Sequence, residues 1–186
     1  FSSDEWRIVQ RMIHTSADFD YMKTVRFHPN AISKGIQAIS EGKAIITDTN
    51  MAKSGINTAG LVRFGCSITC LIQDSQVCRL AQNAGSTRAA AAVDAALPVM
   101  EGGIYVVGNA PTALLRLIEL IKEEQARPAL VIGLPVGFVN AAESKAYLMN
   151  MDYPSISNVG RKGGSTVAAS VVNALVKLTT AKLSSR

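Results

Sequence analysis

Two short segments of this chain are apolar at every position. Ile104-Tyr105-Val106-Val107 lies between Gly103 and Gly108, and Ala129-Leu130-Val131-Ile132 runs into Gly133. A strand with one wet face alternates apolar and polar residues, so a strand that is apolar throughout must be covered on both faces. Each of these segments is followed by a helical pattern. Pro111 opens a helix with Leu114, Leu117, Ile118 and Ile121 on one face, and Asn140 caps a helix that runs to about Met149. Strand-helix repetition of this kind builds a parallel sheet between two helical layers.

The rest of the chain fits the same scheme. Lys43 to Asp48 and Ser67 to Ile72 read as strands, and Ser155 to Val159 reads as the weakest one. Helices are expected from about Ala31 to Glu41, ended by Gly42, then from Gln76 to Gln82, from Arg88 to Met100, and from Ser165 to near Lys182. At the start, Ser2-x-x-Glu5 has the form of a capping box, opening a helix with the apolar stripe Trp6, Val9, Ile13 and with His14 on its flank. The expectation is one α/β domain over residues 1–186, a three-layer, mostly parallel sheet of about five strands with helices on both faces.

Composition narrows the function classes. With 48% apolar and only 18% charged residues the chain is too hydrophobic to be disordered. It has no apolar run of the length, about 18 residues, that a transmembrane helix needs, and Phe1-Ser2-Ser3-Asp4-Glu5 lacks the features of a signal peptide. Cys66, Cys70 and Cys78 have an odd count and a spacing that suits neither a zinc pair nor a disulfide framework, so reduced thiols and a cytoplasmic location are expected. No P-loop, no dinucleotide fingerprint, no nucleophile elbow and no H-E-x-x-H motif is present. The net charge of +5 admits nucleic acid, a membrane surface or a polyanionic small molecule.

The loops favour the small molecule. In open α/β sheets ligands bind beyond the carboxyl ends of the strands. There the sequence places Asp48-x-x-Met51, Thr87-Arg88, Gly108-Asn109-Ala110-Pro111-Thr112, Gly133 through Asn140, and Gly160-Arg161-Lys162-Gly163-Gly164-Ser165. Backbone amides, helix N-termini and fixed cations on such loops can hold several carboxylates or phosphates. The acid-base candidates are few, since the only histidines are His14 and His28, and His28 precedes Pro29 in an extended loop.

Four motifs carry a family resemblance. Arg11-Met12-Ile13-His14, Gly108 through Leu114, Leu134-Pro135-Val136-Gly137-Phe138-Val139 with Ala142-Glu143-Ser144-Lys145, and Gly163-Gly164-Ser165 resemble, in order and spacing, the precorrin-8X methylmutase family of cobalamin biosynthesis. Asp48-x-x-Met51 and Thr87-Arg88 fall where that family has D-x-x-M and T-R. The resemblance implies an isomerase that moves a methyl group between adjacent carbons of ring C of a corrin precursor, a formal [1,5]-sigmatropic shift giving hydrogenobyrinate or, with cobalt already inserted, cobyrinate. It implies His14 as proton donor and acceptor. It further implies substrate contacts from Asp48, Met51, Thr87, Arg88, Asn109, Thr112, Gly137, Gly164 and Ser165, with Arg88 as a carboxylate clamp. A homodimer with the site near the subunit interface is expected. No cofactor, protein-bound metal, nucleic acid or membrane partner is. Family members carry a longer segment ahead of the histidine helix, so the N-terminal segment is expected to be incomplete. A non-catalytic tetrapyrrole binder or sequestering protein is the alternative, and an unrelated α/β anion or nucleotide enzyme a distant third.

Overall fold

A computed structural model describes residues 1–184. The chain opens with α1 (Ser3–Ser16), α2 (Tyr21–Thr24), β1 (Val25–Phe27), α3 (Ala31–Ser40) and β2 (Ile45–Thr47). It continues through α4 (Asn50–Gly55), α5 (Thr58–Val62), β3 (Ile68–Thr69), α6 (Ser75–Asn83), α7 (Arg88–Met100) and β4 (Ile104–Val107). The last third holds α8 (Pro111–Lys122), β5 (Leu130–Gly133), α9 (Ala141–Met149), β6 (Ser155–Asn158) and α10 (Ser165–Ser184).

The strands form one sheet in the order β1-β6-β5-β4-β2-β3, parallel throughout except for β1, which runs antiparallel along β6. Six strands among the described residues replace the five expected. The addition is β1, since Val25-Arg26-Phe27 is too short to show a period and becomes a strand only because β6 offers it an edge. The expected strand Ser67 to Ile72 contracts to Ile68–Thr69 at the opposite edge.

Side-chain alternation divides the core into two layers. From β4, Ile104 and Val106 pack beneath α1, α3 and α10, whereas Tyr105 and Val107 pack beneath α7 and α8. All four are buried. Each large side chain so covered contributes about 1.5–3 kcal/mol, and this is why β4 is apolar on both faces.

The first helix keeps its capping box, with the Ser2 amide donating to Glu5 Oε2 at 2.6 Å and the Glu5 amide to Ser2 Oγ at 3.3 Å. Its buried face is Ile8, Val9 and Met12 rather than the expected Trp6, Val9 and Ile13. Trp6 is 37% exposed and stacks on Phe1. At about 100° per residue, His14 then stands on the far side from the core, and it is exposed. Asn140 occupies the start of α9 in a left-handed conformation without a side-chain cap, also contrary to expectation.

Candidate active site

The parallel strands β2, β4, β5 and β6 all end at one edge of the sheet, and their following loops converge there. An ion pair at each end of α1 fixes its direction against α10. Lys182 Nζ meets Asp4 at 2.8 Å at one end, and Lys162 Nζ meets Asp18 and Asp20 at 2.6 Å at the other. The helices therefore run antiparallel. The last turn of α1, which carries His14, arrives at the start of α10, and so at the carboxyl edge of the sheet.

The two histidines lie at opposite edges. His28 follows the antiparallel β1, so it sits at the amino edge, where Nε2 lies 2.9 Å from Asp152 Oδ1 and Nδ1 accepts from the Asn30 amide. His14 is exposed and engages no side chain or backbone group among the described residues. Of the two imidazoles only His14 stands free at the edge where ligands bind in such sheets.

Asp48 is the organising residue of the edge. Its carboxylate is 2% exposed and accepts hydrogen bonds from the backbone amides of Gly108 at 2.9 Å, Asn109 at 2.8 Å and Ala110 at 2.8 Å. Those are the amides that lead into α8, where an anion is favoured. Burial pushes the carboxyl above its ordinary value, and the three amides pull the other way. The anion nest before α8 is thus filled from within the chain. Its amides are not free for a ligand, and Asp48 itself faces the loop rather than the open edge.

Hydroxyl groups tie the neighbouring helix starts together. Thr87 caps α7 by accepting from the Ala90 amide at 3.1 Å and donates to Thr112 Oγ1 at 3.0 Å, which sets the start of α7 beside that of α8. Ser165, buried at the start of α10, shares a 2.8 Å hydrogen bond with Thr49, the cap of α4. Gly108 permits this approach, because a Cβ on it would lie 2.6 Å from Ser165 Cα. Thr87, Thr112 and Ser165 are accordingly joints between elements. Arg88, Asn109 and Met51 are exposed at the rim, and Arg88 has no ion-pair partner among the described residues.

The loops after β5 and β6 complete the edge. The Gly164 amide donates to the Leu134 carbonyl at 2.9 Å, and the Gly137 amide to the Arg161 carbonyl at 3.2 Å. Gly137 and Gly164 both adopt positive φ, 145° and 129°, which a residue with a Cβ adopts only under strain. Between them the β5 loop projects Val136, Phe138 and Val139, and Phe138 is 87% exposed beneath the Arg161 guanidinium. Arg161 was among the loop cations expected at this edge, whereas Phe138 was not singled out as a site residue. The signal for Phe138 was present, as a large apolar residue in a glycine-containing turn with no helical or strand period to bury it.

Other parts of the molecule carry less chemistry. A cavity of about 480 Å³ opens at the amino edge between Lys34, Glu41, Lys43, Glu101 and Arg127, whose mixed charges do not suit a polyacid. The three cysteines are free and half-buried, and burial pushes the Cys66 thiol up. Among the described residues no three His, Cys, Asp or Glu side chains are grouped to hold a metal ion, and no helix is long and apolar enough to cross a membrane.

Comparison with known proteins gives one consistent result. The family model described as precorrin-8X methylmutase matches residues 1–178. The chain is 49% identical over 175 residues to the cobalt-precorrin-8 methylmutase of Priestia megaterium, covering 94% of this chain and 78% of that protein. It is 38% identical over 175 residues to the precorrin-8X methylmutase of Pseudomonas aeruginosa, covering 93% and 84%. The crystal structure of the precorrin-8x methyl mutase from Thermus thermophilus superposes with a TM-score of 0.91 at 43% identity, covering 98% of this chain and 88% of that one.

Proposed function

The chain belongs to the precorrin-8X methylmutase family, an isomerase of cobalamin biosynthesis, and from that premise we propose how its carboxyl edge performs the reaction. The substrate is precorrin-8X or its cobalt complex. One carbon-carbon bond to a methyl group breaks on ring C and a new one forms at the adjacent carbon, so the product is an isomer and no atom is gained or lost. Such a shift needs a fixed ring geometry and a proton held at the right nitrogen. His14 donates that proton to a ring nitrogen and takes it back. The observation that carries this reading is the separation of the two histidines, with His28 engaged at the amino edge and His14 free at the edge bearing Arg88.

Recognition divides between the plane of the macrocycle and its rim. Met51, Val136, Phe138 and Val139 are exposed apolar side chains that suit an apolar ring face. Arg88 grips a peripheral carboxylate through both oxygens, and Asn109, Gly137 and Gly164 line the approach. Thr87, Thr112, Ser165 and Asp48 act one step back by holding the loops. The open, partly apolar edge is completed by a second copy in a homodimer, which covers the ring face that a single chain leaves to water.

Incubation with metal-free and cobalt-bearing precorrin-8X, followed by visible spectroscopy, tests the reading. Conversion by the wild type that disappears in His14→Ala supports it. A bound spectrum without conversion would replace it with a sequestering protein, and conversion unchanged in His14→Ala would remove the histidine. Arg88→Ala is expected to weaken substrate binding by about 1–3 kcal/mol, read as a dissociation constant. An unchanged constant removes Arg88 from the site.

A further inference from the structure

Beneath the loop that follows β6 lies an amine that no carboxylate among the described residues accompanies. Lys145, on α9, is fully buried. Its Nζ donates to the Lys162 carbonyl at 2.5 Å and to Asn158 Oδ1 at 3.2 Å. The Asn158 amide donates to the same Lys162 carbonyl at 2.9 Å and to the Val159 carbonyl at 3.3 Å. Burying an unpaired ammonium is costly, and an apolar residue of similar volume fills such a space better. Packing therefore does not explain a lysine here. What the lysine does is hold one peptide group, that of Lys162.

The side chain of Lys162 leaves in the opposite direction. Its Nζ lies 2.6 Å from both Asp18 and Asp20, the residues that follow the histidine helix. The next two residues form the glycine turn into α10. A Cβ on Gly163 would run into the Leu134 and Pro135 carbonyls, and the Gly164 amide donates to the Leu134 carbonyl at 2.9 Å. Residue 162 is thus held inward through its carbonyl and outward through its ammonium, between the helix that bears His14 and the turn at the site.

We propose that Lys145 is a positioning residue of the rearrangement: by holding the Lys162 carbonyl it sets, through the Lys162 bridge to Asp18 and Asp20, where the His14 helix stands against the Gly163-Gly164 turn. The proposal rests on the methylmutase reading with His14 as proton carrier. Burial also brings the Lys145 amine down to about 8. At pH 7 it is therefore still mostly protonated, and above about pH 8 the neutral amine keeps two N–H donors for its two acceptors.

Three variants test it, Lys145→Met, Lys162→Met and Lys162→Arg, with kcat and KM measured separately on precorrin-8X. Lys162→Met releases only the histidine side, so kcat is expected to fall about 10-fold or more while KM stays within about twofold. Lys162→Arg restores most of the rate. Lys145→Met loosens both sides, lowering kcat at least as far, raising KM, speeding hydrogen exchange at the Gly164 amide and shifting the His14 imidazole resonances. Wild-type kcat and KM in Lys145→Met with unchanged Gly164 exchange overturns the proposal. If that variant fails to fold, Lys162→Met decides, and an unchanged kcat in it overturns the proposal equally. Should the wild type not convert precorrin-8X at all, the methylmutase reading falls by itself, and the exchange rate and imidazole resonances still decide whether Lys145 positions the turn and helix.

Discussion

The loops after β4 and β6 are each built over a buried charged residue, and the two solve opposite problems. Under the β4 loop the Asp48 carboxylate collects three backbone amides. Under the β6 loop the Lys145 amine donates to one backbone and one side-chain oxygen. The acid closes off an anion nest that would otherwise bind any carboxylate or phosphate. The base braces a turn in which Gly163 is enclosed by the Leu134 and Pro135 carbonyls and Gly164 faces open space. On the proposed reading, a substrate fringed with carboxylates then meets side chains such as Arg88 rather than an indiscriminate row of amides. The comparison teaches that buried charge in this molecule is spent on polar groups of its own loops, which on the proposed reading leaves recognition to the rim.

The strongest way to break this contrast is Asp48→Ala. Three buried or half-buried amides lose their acceptor at once, and each orphaned group costs about 1–3 kcal/mol, partly relieved by entering water. A loss of about 4 kcal/mol is expected in urea unfolding, with less than half of that for Asp48→Asn, which keeps one acceptor oxygen. A loss below about 1 kcal/mol for the alanine variant would show that the nest does not depend on the acid.

A second measurement separates the two charges by pH. The Lys145 amine titrates near 8 in the folded chain and at 10.5 when free of it, so between these values the unfolded chain binds more protons. Stability referred to the Lys145→Met variant is therefore expected to rise from about pH 8 to about 10.5, by on the order of 3 kcal/mol. Asp48 has the opposite sign. Its folded value is raised, so its contribution is greatest below its ordinary value of 3.8 and is lost as pH rises through the folded value. A difference between wild type and Lys145→Met that stays flat from pH 8 to 10.5 would show that the amine is not desolvated as its burial indicates.

The smallest effects belong to the hydroxyl joints that align the two loops with their neighbours. Thr87→Ala removes a helix cap and the contact with Thr112, and about 1 kcal/mol should be lost. Ser165→Ala loses only the bond to Thr49, for a similar or smaller cost. Thermal unfolding reads both. A loss at Thr87 without a change in substrate affinity would assign it wholly to holding the start of α7, whereas a matching loss of affinity would place its hydroxyl against the ligand.

Much of the fold was legible because burial on two faces leaves a plain record. β4 and β5 are apolar throughout, and both are central strands. β6 was harder to read, since Ser155-Ile156-Ser157-Asn158 looks like a surface segment yet is buried from end to end. Its polar atoms find partners outside the strand, Ser157 Oγ in the Gly133 carbonyl at 2.6 Å and Asn158 in Lys145 and Lys162. In α1 the residues Trp6, Ile8, Val9, Met12 and Ile13 allow more than one stripe, and contact with α10 chose Ile8, Val9 and Met12. That choice turned His14 away from the core and into solvent.

By itself the sequence determined the layered α/β architecture, the loops that gather at one edge of the sheet and the family to which the chain belongs. These follow from local periodicity and from motifs, which are written in consecutive residues. Only the tertiary structure decided that Asp48 faces inward, that Lys145 holds the Lys162 carbonyl, and that His14 rather than His28 stands free at the carboxyl edge. Each of those depends on hydrogen bonds and ion pairs between residues far apart in sequence, from 17 positions for Lys145 and Lys162 to 144 for Asp18 and Lys162. A pattern read along the chain carries no information about such distances, because the partners meet only when the layers close.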